Sequence, residues 1–225
     1  MSTENGVPFR LFYPTKEETR QASVSWFVHG LAHFIEGYLH FLLPKWREYA
    51  ITKWILYVIA MVVSFFMPMA KTFLPRSMMA APPHSTQKNQ FPLVLYSHGL
   101  TGTGEENALM LAYWASQGYV VAAIHHCDGS SHRARPRGRE EILYHHPDYK
   151  NYDPNFRIEQ IRRREEELFE LREAVLHSPS FPSDLAHIVD PHRVVVAGFS
   201  YGAATAALSV AKRPGQYQAC ILLDG

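Results

Sequence analysis

The residues best suited to chemistry lie in one short stretch near the end of the sequence. Gly198, Ser200 and Gly202 satisfy the pattern G-x-S-x-G. A valine-rich run precedes the pattern and an alanine-rich run follows it, which places the serine in a sharp turn between a strand and a helix. Such a turn, a nucleophile elbow, has no room for Cβ atoms at the two glycines and lifts the serine hydroxyl above the sheet. The pattern therefore predicts that Ser200 is a nucleophile.

A serine that attacks an ester also needs N–H groups that stabilise the negative oxygen of the transition state. The residue after the nucleophile supplies one of them, here Tyr201. The loop after an early strand supplies the other, and we predict the N–H of Leu100, within the segment 97–102. Asp224 follows a later apolar run, at a position where a carboxylate could orient a histidine over Ser200. A strand-ending aspartate is also common in ordinary loops.

Short apolar runs are expected to form the strands that position these residues. The runs contain too few polar residues for one face to meet water, and helical patterns separate them. The apolar runs cover 92–97, 119–124, 193–197 and 219–223, and the helical patterns cover 108–118 and 157–177. This order predicts an α/β fold with a mostly parallel sheet flanked by helices.

The helix predicted over 157–177 has an apolar face and many charges. Arg162–Arg164 could suggest a phosphate-binding patch, but Glu165–Glu167 follow directly. Opposite charges one helical turn apart neutralise each other locally. We therefore predict that these charges form a solvated helix face.

Several segments together resemble the platelet-activating factor acetylhydrolases. They cover residues 91–100, 119–130, 190–194 and 198–205, and residues 10–14 match the family's first strand more loosely. The resemblance implies the α/β-hydrolase fold and hydrolysis of a short or oxidised sn-2 acyl chain of a phospholipid, with no metal and no cofactor. It implies the roles of nucleophile for Ser200, oxyanion N–H donors for Leu100 and Tyr201, and triad acid for Asp224. The sequence departs from the family's usual residues at Phe199, Tyr201 and Ala203.

The resemblance makes the predicted function that of a 1-alkyl-2-acetylglycerophosphocholine esterase, with phospholipid as its partner. A general carboxylesterase of the same fold is the alternative among enzymes. The alternative from another class is a catalytically silent protein that binds lipid or membrane and keeps the elbow only as structure.

The order of the triad in this fold is serine, acid, histidine, and none of the 13 histidines follows Asp224. We therefore expect the triad histidine and the last strands of the sheet beyond residue 225, in a longer protein. Within this sequence we predict an N-terminal region, 1–90, and an incomplete α/β-hydrolase core, 91–225.

Composition argues against several other classes of function. The chain has 22 Lys and Arg residues against 21 Asp and Glu residues, so no strong field would attract nucleic acid. Cys127 and Cys220 form no C-x-x-C pair and are predicted to be buried thiols. The cluster 125–128 with His132 has residue types that bind metals, but neighbours on a strand point to opposite faces. We predict no metal there and place the cluster at the rim of the active site.

One uncharged segment, 54–70, contains a run of large apolar residues that ends near Pro68. It is short for a membrane span, which needs about 20 apolar residues. A buried helix, a helix lying in the membrane interface and a spanning helix are all compatible with it. The polar start of the sequence lacks the apolar stretch of a signal peptide. The predicted location is the cytoplasm, with 54–70 as a candidate for attachment to a membrane surface.

Overall fold

The computed structural model describes residues 1–15, 24–66, 73–74 and 90–224. The chain divides into two units, one formed by Met1–Glu18 with Ala81–Gly225 and the other by Thr19–Ala80. The first unit holds every residue predicted to do chemistry. The division of the chain at residue 90, which follows from composition alone, stays a prediction.

The described elements follow each other along the chain as short strands and longer helices. The strands are β1 (Phe9–Phe12), β2 (Val24–Ser25), β3 (Phe73–Leu74), β4 (Phe91–Ser97), β5 (Val120–Ile124), β6 (Arg133–Ala134), β7 (Ile142–Leu143), β8 (Val189–Phe199) and β9 (Ala219–Leu223). The helices are α1 (Leu31–Leu42), α2 (Ala50–Phe66), α3 (Ala108–Ser116), α4 (Asn155–His177), α5 (Ser183–Ala186) and α6 (Tyr201–Lys212), with a 3₁₀ helix at Pro44–Glu48.

A five-stranded sheet forms the centre of the first unit, in the order β1-β5-β4-β8-β9. β1 runs antiparallel to β5, and the pairs β4–β5, β4–β8 and β8–β9 are parallel. Parallel neighbours need a crossover, and α3, α4 and α6 lie in the connections between them. The predicted α/β fold with a mostly parallel sheet is confirmed.

The central strands are buried on both faces, as their continuous apolar sequences predict. Every residue of β5 is buried, and so are residues 93–97 of β4. β9 differs, because Leu222 is 52% exposed and none of its residues is buried. Among the described strands β9 has a neighbour on one side only, so the burial predicted for 219–223 is not observed in the described part of the chain. For the same reason Cys220 is exposed, whereas Cys127 is buried as predicted.

Helix α4 packs against α6 and the strands β4 and β5, and the face that it buries is not purely apolar. Leu168, Leu171 and Val175 are buried as expected from their spacing. Arg164 and Glu165 are also 0% exposed and Glu167 is 5% exposed, so the prediction that this charged run forms a solvated face is wrong for these three residues. The carboxylate of Glu165 accepts hydrogen bonds from Lys212 Nζ at 2.6 Å and Arg213 Nε at 2.7 Å, which joins α4 to the end of α6.

The second unit contains α1 and α2, which pack against each other, and the short ribbon β2–β3. Leu56 and Ala60 of α2 are buried, whereas many of its large apolar side chains are exposed. Of the predicted segment 54–70, residues 67–70 lie outside the described residues. No helix among the residues that the structure describes is both long enough and apolar enough to cross a bilayer.

Candidate active site

Ser200 occupies the turn between β8 and α6. Its φ is 51° and its ψ is −117°, a left-handed backbone conformation that non-glycine residues rarely adopt. Its N–H donates to the carbonyl of Leu223 at 2.8 Å, which ties the turn to the neighbouring strand β9. The Ser200 side chain is exposed and its hydroxyl forms no hydrogen bond with the described residues. The predicted strand–turn–helix arrangement is present, and a strained serine at its tip is open to a substrate.

The two glycines of the pattern allow this turn because their backbones touch other backbones. A Cβ on Gly198 would lie 2.0 Å from the carbonyl oxygen of Gly202. A Cβ on Gly202 would lie 2.1 Å from the carbonyl oxygen of Ser97 and 2.7 Å from that of His98. Real Cβ atoms do not approach so closely, so no side chain fits at either position. The first turn of α6 therefore lies directly against the end of β4.

This contact brings the loop that follows β4 beside the nucleophile. A Cβ on Gly99 would lie 3.5 Å from the Cβ of Ser200. The carbonyl of Gly99 accepts hydrogen bonds from His98 Nδ1 at 2.8 Å and from the Gly102 N–H at 3.2 Å. In a trans peptide the N–H of the next residue points away from that carbonyl. The Leu100 N–H, which donates to no carbonyl in the described part of the chain, is thus directed away from His98.

The peptide that joins Ser200 to Tyr201 is fixed in the same way. Its carbonyl accepts the N–H of Ala203 at 2.8 Å, so the N–H of Tyr201 points in the opposite direction. This N–H, at the beginning of α6, also donates to no carbonyl of a described residue. Two N–H groups without backbone acceptors among the described residues therefore lie in the two segments that meet at Ser200, and the positive end of a helix lies behind one of them.

Asp224 lies directly after β9 and has a φ of 53°. In the parallel pair β8–β9, Leu223 is in register with Phe199, so Asp224 and Ser200 follow aligned residues at the same edge of the sheet. The structure thus brings Ser200, Tyr201, Asp224 and the Leu100 loop to one edge. It places no histidine of the described residues within hydrogen-bonding distance of Ser200. The catalytic roles of the four residues and of a histidine stay predictions.

Behind this edge lies a buried polar network that sequence reasoning missed. Ser97 Oγ lies 2.9 Å from His126 Nε2, and His126 Nδ1 lies 2.8 Å from Glu167 Oε2. Glu167 also accepts the N–H of Cys127, at 3.1 Å. The series has the residue types of a catalytic triad, but Ser97 and His126 are both 0% exposed. Because both side chains are buried, we interpret these residues as support for the sheet edge.

His98 is the other histidine of the network, and its contacts fix its tautomer. Nδ1 faces the carbonyl of Gly99, which only accepts, so Nδ1 carries the proton. Nε2 accepts the backbone N–H of His126 at 3.2 Å. Burial, and after it the charge of Arg164, holds the pKa of His98 well below its usual range. His98 is therefore a neutral ring that connects the Leu100 loop to the end of β5.

Burial shifts the pKa values of the His126–Glu167 pair in opposite directions. It holds the pKa of His126 well below its usual range, helped by the nearby charge of Arg164. It raises the pKa of Glu167 to about 8, and the neighbouring Asp128 adds to this shift. Near neutral pH both shifts favour the neutral form of each partner, so the pair carries no net charge.

The cluster 125–128 with His132 is occupied by hydrogen bonds to protein groups. His125 Nε2 donates to the carbonyl of Arg133 at 2.7 Å, and His132 Nδ1 donates to that of Thr101 at 2.8 Å. Asp128 Oδ1 accepts the Ser130 N–H at 3.1 Å. Among the described residues no group of three His, Cys, Asp or Glu side chains has the arrangement of a metal site. These side chains instead hold the loop after β5 in place.

Over its whole length, residues 1–225, the chain matches the family described as platelet-activating factor acetylhydrolase, isoform II. Among solved structures it is similar to a ferulic acid esterase from Streptomyces cinnamoneus, at 20% identity and a TM-score of 0.59, over 91% of this chain and 48% of that one. It is also similar to the protein TT1662 from Thermus thermophilus, at 22% identity and a TM-score of 0.38, over 60% of this chain and 48% of that one. The chain thus spans about half the length of these structures, and the first likeness shows the α/β-hydrolase fold.

The backbone contacts predict that Gly198→Ala and Gly202→Ala are severely destabilising. Each added methyl group would overlap backbone atoms that cannot rotate away, so we expect a loss of at least about 3 kcal/mol of unfolding free energy, or no folded protein. Gly138→Ala is the matched control, because Gly138 has a φ of 73° but open space around it. Strain alone should cost that variant about 1–2 kcal/mol. Equal urea midpoints for Gly202→Ala and Gly138→Ala would contradict the tight contact.

The raised pKa of Glu167 predicts a specific pH dependence of stability. Above the ordinary pKa of a glutamate the unfolded chain releases a proton that the folded chain keeps until about pH 8, so this group's contribution to stability falls as the pH rises through that window. Glu167→Gln imitates the protonated carboxyl and removes the fall. Urea unfolding should show the variant gaining about 2 kcal/mol on the wild type between pH 6 and pH 8.5.

The exposed Glu166→Gln is the control, and it should follow the wild type across the whole range. A parallel pH profile for the wild type and Glu167→Gln would show that the folded protein does not keep this proton.

Proposed function

The chain belongs to the platelet-activating factor acetylhydrolase isoform II family, and from this premise we propose that it carries the nucleophile of a carboxylic ester hydrolase. The single observation that best supports the proposal is the geometry at Ser200. A strained, exposed serine directly precedes helix α6, and the two segments that meet there each carry an N–H group without a backbone acceptor among the described residues. An ordinary strand-to-helix turn needs neither the positive φ nor the backbone contact at Gly202.

In the proposed reaction Ser200 Oγ attacks the ester carbonyl carbon and its proton passes to a histidine base. The carbonyl oxygen becomes negative and accepts hydrogen bonds from the N–H groups of Leu100 and Tyr201. The C–O bond to the alcohol then breaks, the alcohol takes the proton from the histidine, and an acyl-serine remains. Water hydrolyses this intermediate by the same route and releases the carboxylate.

Asp224 is the proposed acid that orients the histidine and stabilises its charged form. Its position supports this role, because it follows the strand next to the one that ends at Ser200. Since no histidine of the described residues lies near the Ser200 hydroxyl, we propose that the base comes from outside them. The reaction requires no metal, because the N–H groups already stabilise the negative oxygen.

The proposed substrate is a phospholipid with a short sn-2 acyl chain, such as a 1-alkyl-2-acetylglycerophosphocholine. The family description supports this choice, and the exposed apolar surface of α2 supports a lipid surface as its source. On α2 the side chains of Trp54, Phe65 and Phe66 are 62%, 74% and 74% exposed. Aromatic residues at this density on a surface helix are typical of interfacial membrane binding. Attachment of the protein to a membrane surface through α2 is therefore part of the proposal.

The proposal predicts that Ser200→Ala abolishes ester hydrolysis by the full-length protein. Loss of the nucleophile should lower kcat by at least about 10³-fold, because no other described side chain can replace it. The assay measures acetate release from a 2-acetyl phospholipid. Ser180→Ala, which changes an exposed serine 20 residues before the elbow, is the control.

Retention of most of the wild-type rate by Ser200→Ala would exclude the mechanism. Parallel assays with a 2-palmitoyl phospholipid and a simple aryl ester separate the candidate substrates. Preference for the acetyl phospholipid supports the proposed substrate, whereas equal rates on the aryl ester support a general carboxylesterase. No hydrolysis of any ester by the wild type would support a silent lipid-binding protein.

The proposed role of α2 predicts weaker membrane binding when its aromatic residues become polar. The combined variant carries Trp54→Gln, Phe65→Ser and Phe66→Ser. The fraction that sediments with phosphatidylcholine vesicles should fall at least about tenfold. The reason is that burial of each aromatic side chain in the membrane contributes roughly 1–2 kcal/mol to the binding free energy. Hydrolysis of a water-soluble aryl ester should not change. Tyr149→Ser, which alters a 75% exposed aromatic residue of the first unit, is the control. Undiminished sedimentation would remove α2 from the proposal.

A further inference from the structure

We propose that Arg164 is a positioning residue that supports both oxyanion donors, Leu100 and Tyr201, from a single point on α4. The inference rests on the ester hydrolase proposed above and deepens it. Arg164 does not touch the reacting atoms; it acts through His98 on one side and through the Tyr201 ring on the other.

The burial of Arg164 needs a reason other than stability. The side chain is 0% exposed, and among the described residues it forms no ion pair with a carboxylate. Within the described ranges its Nε and Nη1 atoms have no hydrogen-bond partner. A buried charge without full pairing costs several kcal/mol, and an apolar side chain of similar length would avoid that cost. The contacts that the guanidinium does make therefore indicate its role.

The first contact is with the loop that carries Leu100. Arg164 Nη2 donates a hydrogen bond to the carbonyl of His98 and lies 3.2 Å from His98 Nδ1. The guanidinium thus binds the backbone of His98 and lies beside its ring, whose Nδ1–H donates to Gly99 and does not accept from Arg164. That ring holds the Gly99 carbonyl, and the Gly99 carbonyl sets the direction of the Leu100 N–H. Removing the guanidinium would free the His98–Gly99 peptide. That peptide directly precedes the Gly99–Leu100 peptide, which carries the first donor.

The second contact is with Tyr201. The Arg164 Cζ lies 4.9 Å from the centre of the Tyr201 ring, within the range of a cation–π interaction. The Tyr201 hydroxyl donates to the carbonyl of Arg157 at 2.7 Å, so the ring meets α4 at two points. The backbone N–H of the same residue is the second proposed donor. One buried cation on α4 therefore touches a structural support of each donor.

The charge of Arg164 also favours the protonation state that the loop requires. It lowers the pKa of His98 further than burial alone does. A charged His98 would carry a proton on Nε2, where the His126 N–H now donates. Arg164 thus keeps the His98 ring in the neutral form that binds both its neighbours.

The experiment compares Arg164→Met with Arg162→Met in the full-length protein. Methionine has similar length but no donor and no charge, and Arg162 lies two residues away on α4 with a 60% exposed side chain. Because the donors act on the transition state, Arg164→Met should lower kcat about 10- to 100-fold and change KM less than about threefold. Arg162→Met should match the wild type.

A second readout separates positioning from a merely structural role. A trifluoromethyl ketone analogue of the substrate forms a tetrahedral adduct with the serine, and its negative oxygen needs the same donors. Its inhibition constant should rise by the same factor as kcat/KM falls. A non-hydrolysable ether analogue of the substrate should bind the variant and the wild type equally. A purely structural change would lower the yield or the melting temperature without this parallel.

Arg164→Lys keeps the charge and replaces the planar guanidinium by a single ammonium group, so its kcat should lie between those of the wild type and Arg164→Met. If Arg164→Met does not fold, Arg164→Lys decides, with an expected fall in kcat of about 3- to 10-fold at constant KM. A kcat equal to that of Arg162→Met, in whichever of the two variants folds, overturns the positioning role and leaves the proposed function standing. A wild type that hydrolyses no ester overturns both.

Discussion

The site depends on one steric constraint, the contact between the backbone of Gly202 and the end of β4. At 2.1 Å from a Cβ on Gly202, the Ser97 carbonyl leaves space for hydrogen only. The contact places α6 so close to β4 that the loop after Ser97 must lie beside the elbow. Gly198 meets the same limit from the other side of the turn. The positive φ of Ser200 follows, because the chain has to reverse within one residue between two glycines that are already fixed.

Within this frame, the directions of the two free N–H groups are set by what the opposite ends of their peptides bind. Helix α6 binds the carbonyl before Tyr201, whereas a side chain, His98, and the Gly102 N–H bind the carbonyl before Leu100. The second arrangement needs buried polar groups, and a buried polar group without a partner costs about 1–3 kcal/mol. This explains why His98 and His126 belong to a connected network. Burial keeps both rings neutral, and the network supplies hydrogen-bond partners on both sides of each ring.

Much of the fold and of the elbow could be predicted from the sequence, because both depend on local patterns. Continuous apolar runs predicted β4 and β5, and G-x-S-x-G between a valine run and an alanine run predicted the turn at Ser200. The burial predicted for 219–223 is not observed among the described residues, since burial depends on what lies on each side of a strand and the strand's own residues do not specify its neighbours. The partners of His98 and Glu167 were also out of reach, because the members of each pair are far apart in the chain.

The helical periodicity of α4 contains a signal for the burial of Arg164 and Glu165. Ile161 and Leu168 lie on its apolar face. Residues 164 and 165 lie between them, one helical turn from each, and therefore on the same face. A helix that is buried on both sides of such a gap buries the gap as well, whatever residues fill it. Charged residues at these positions then need either an ion pair or other buried polar contacts. Glu165 is paired with two cations at the end of α6, whereas Arg164 has no ion pair among the described residues and touches the supports of both donors instead. A charge in the middle of an apolar stripe therefore indicates a buried polar contact more strongly than its neutralising neighbours in sequence indicate a solvated face.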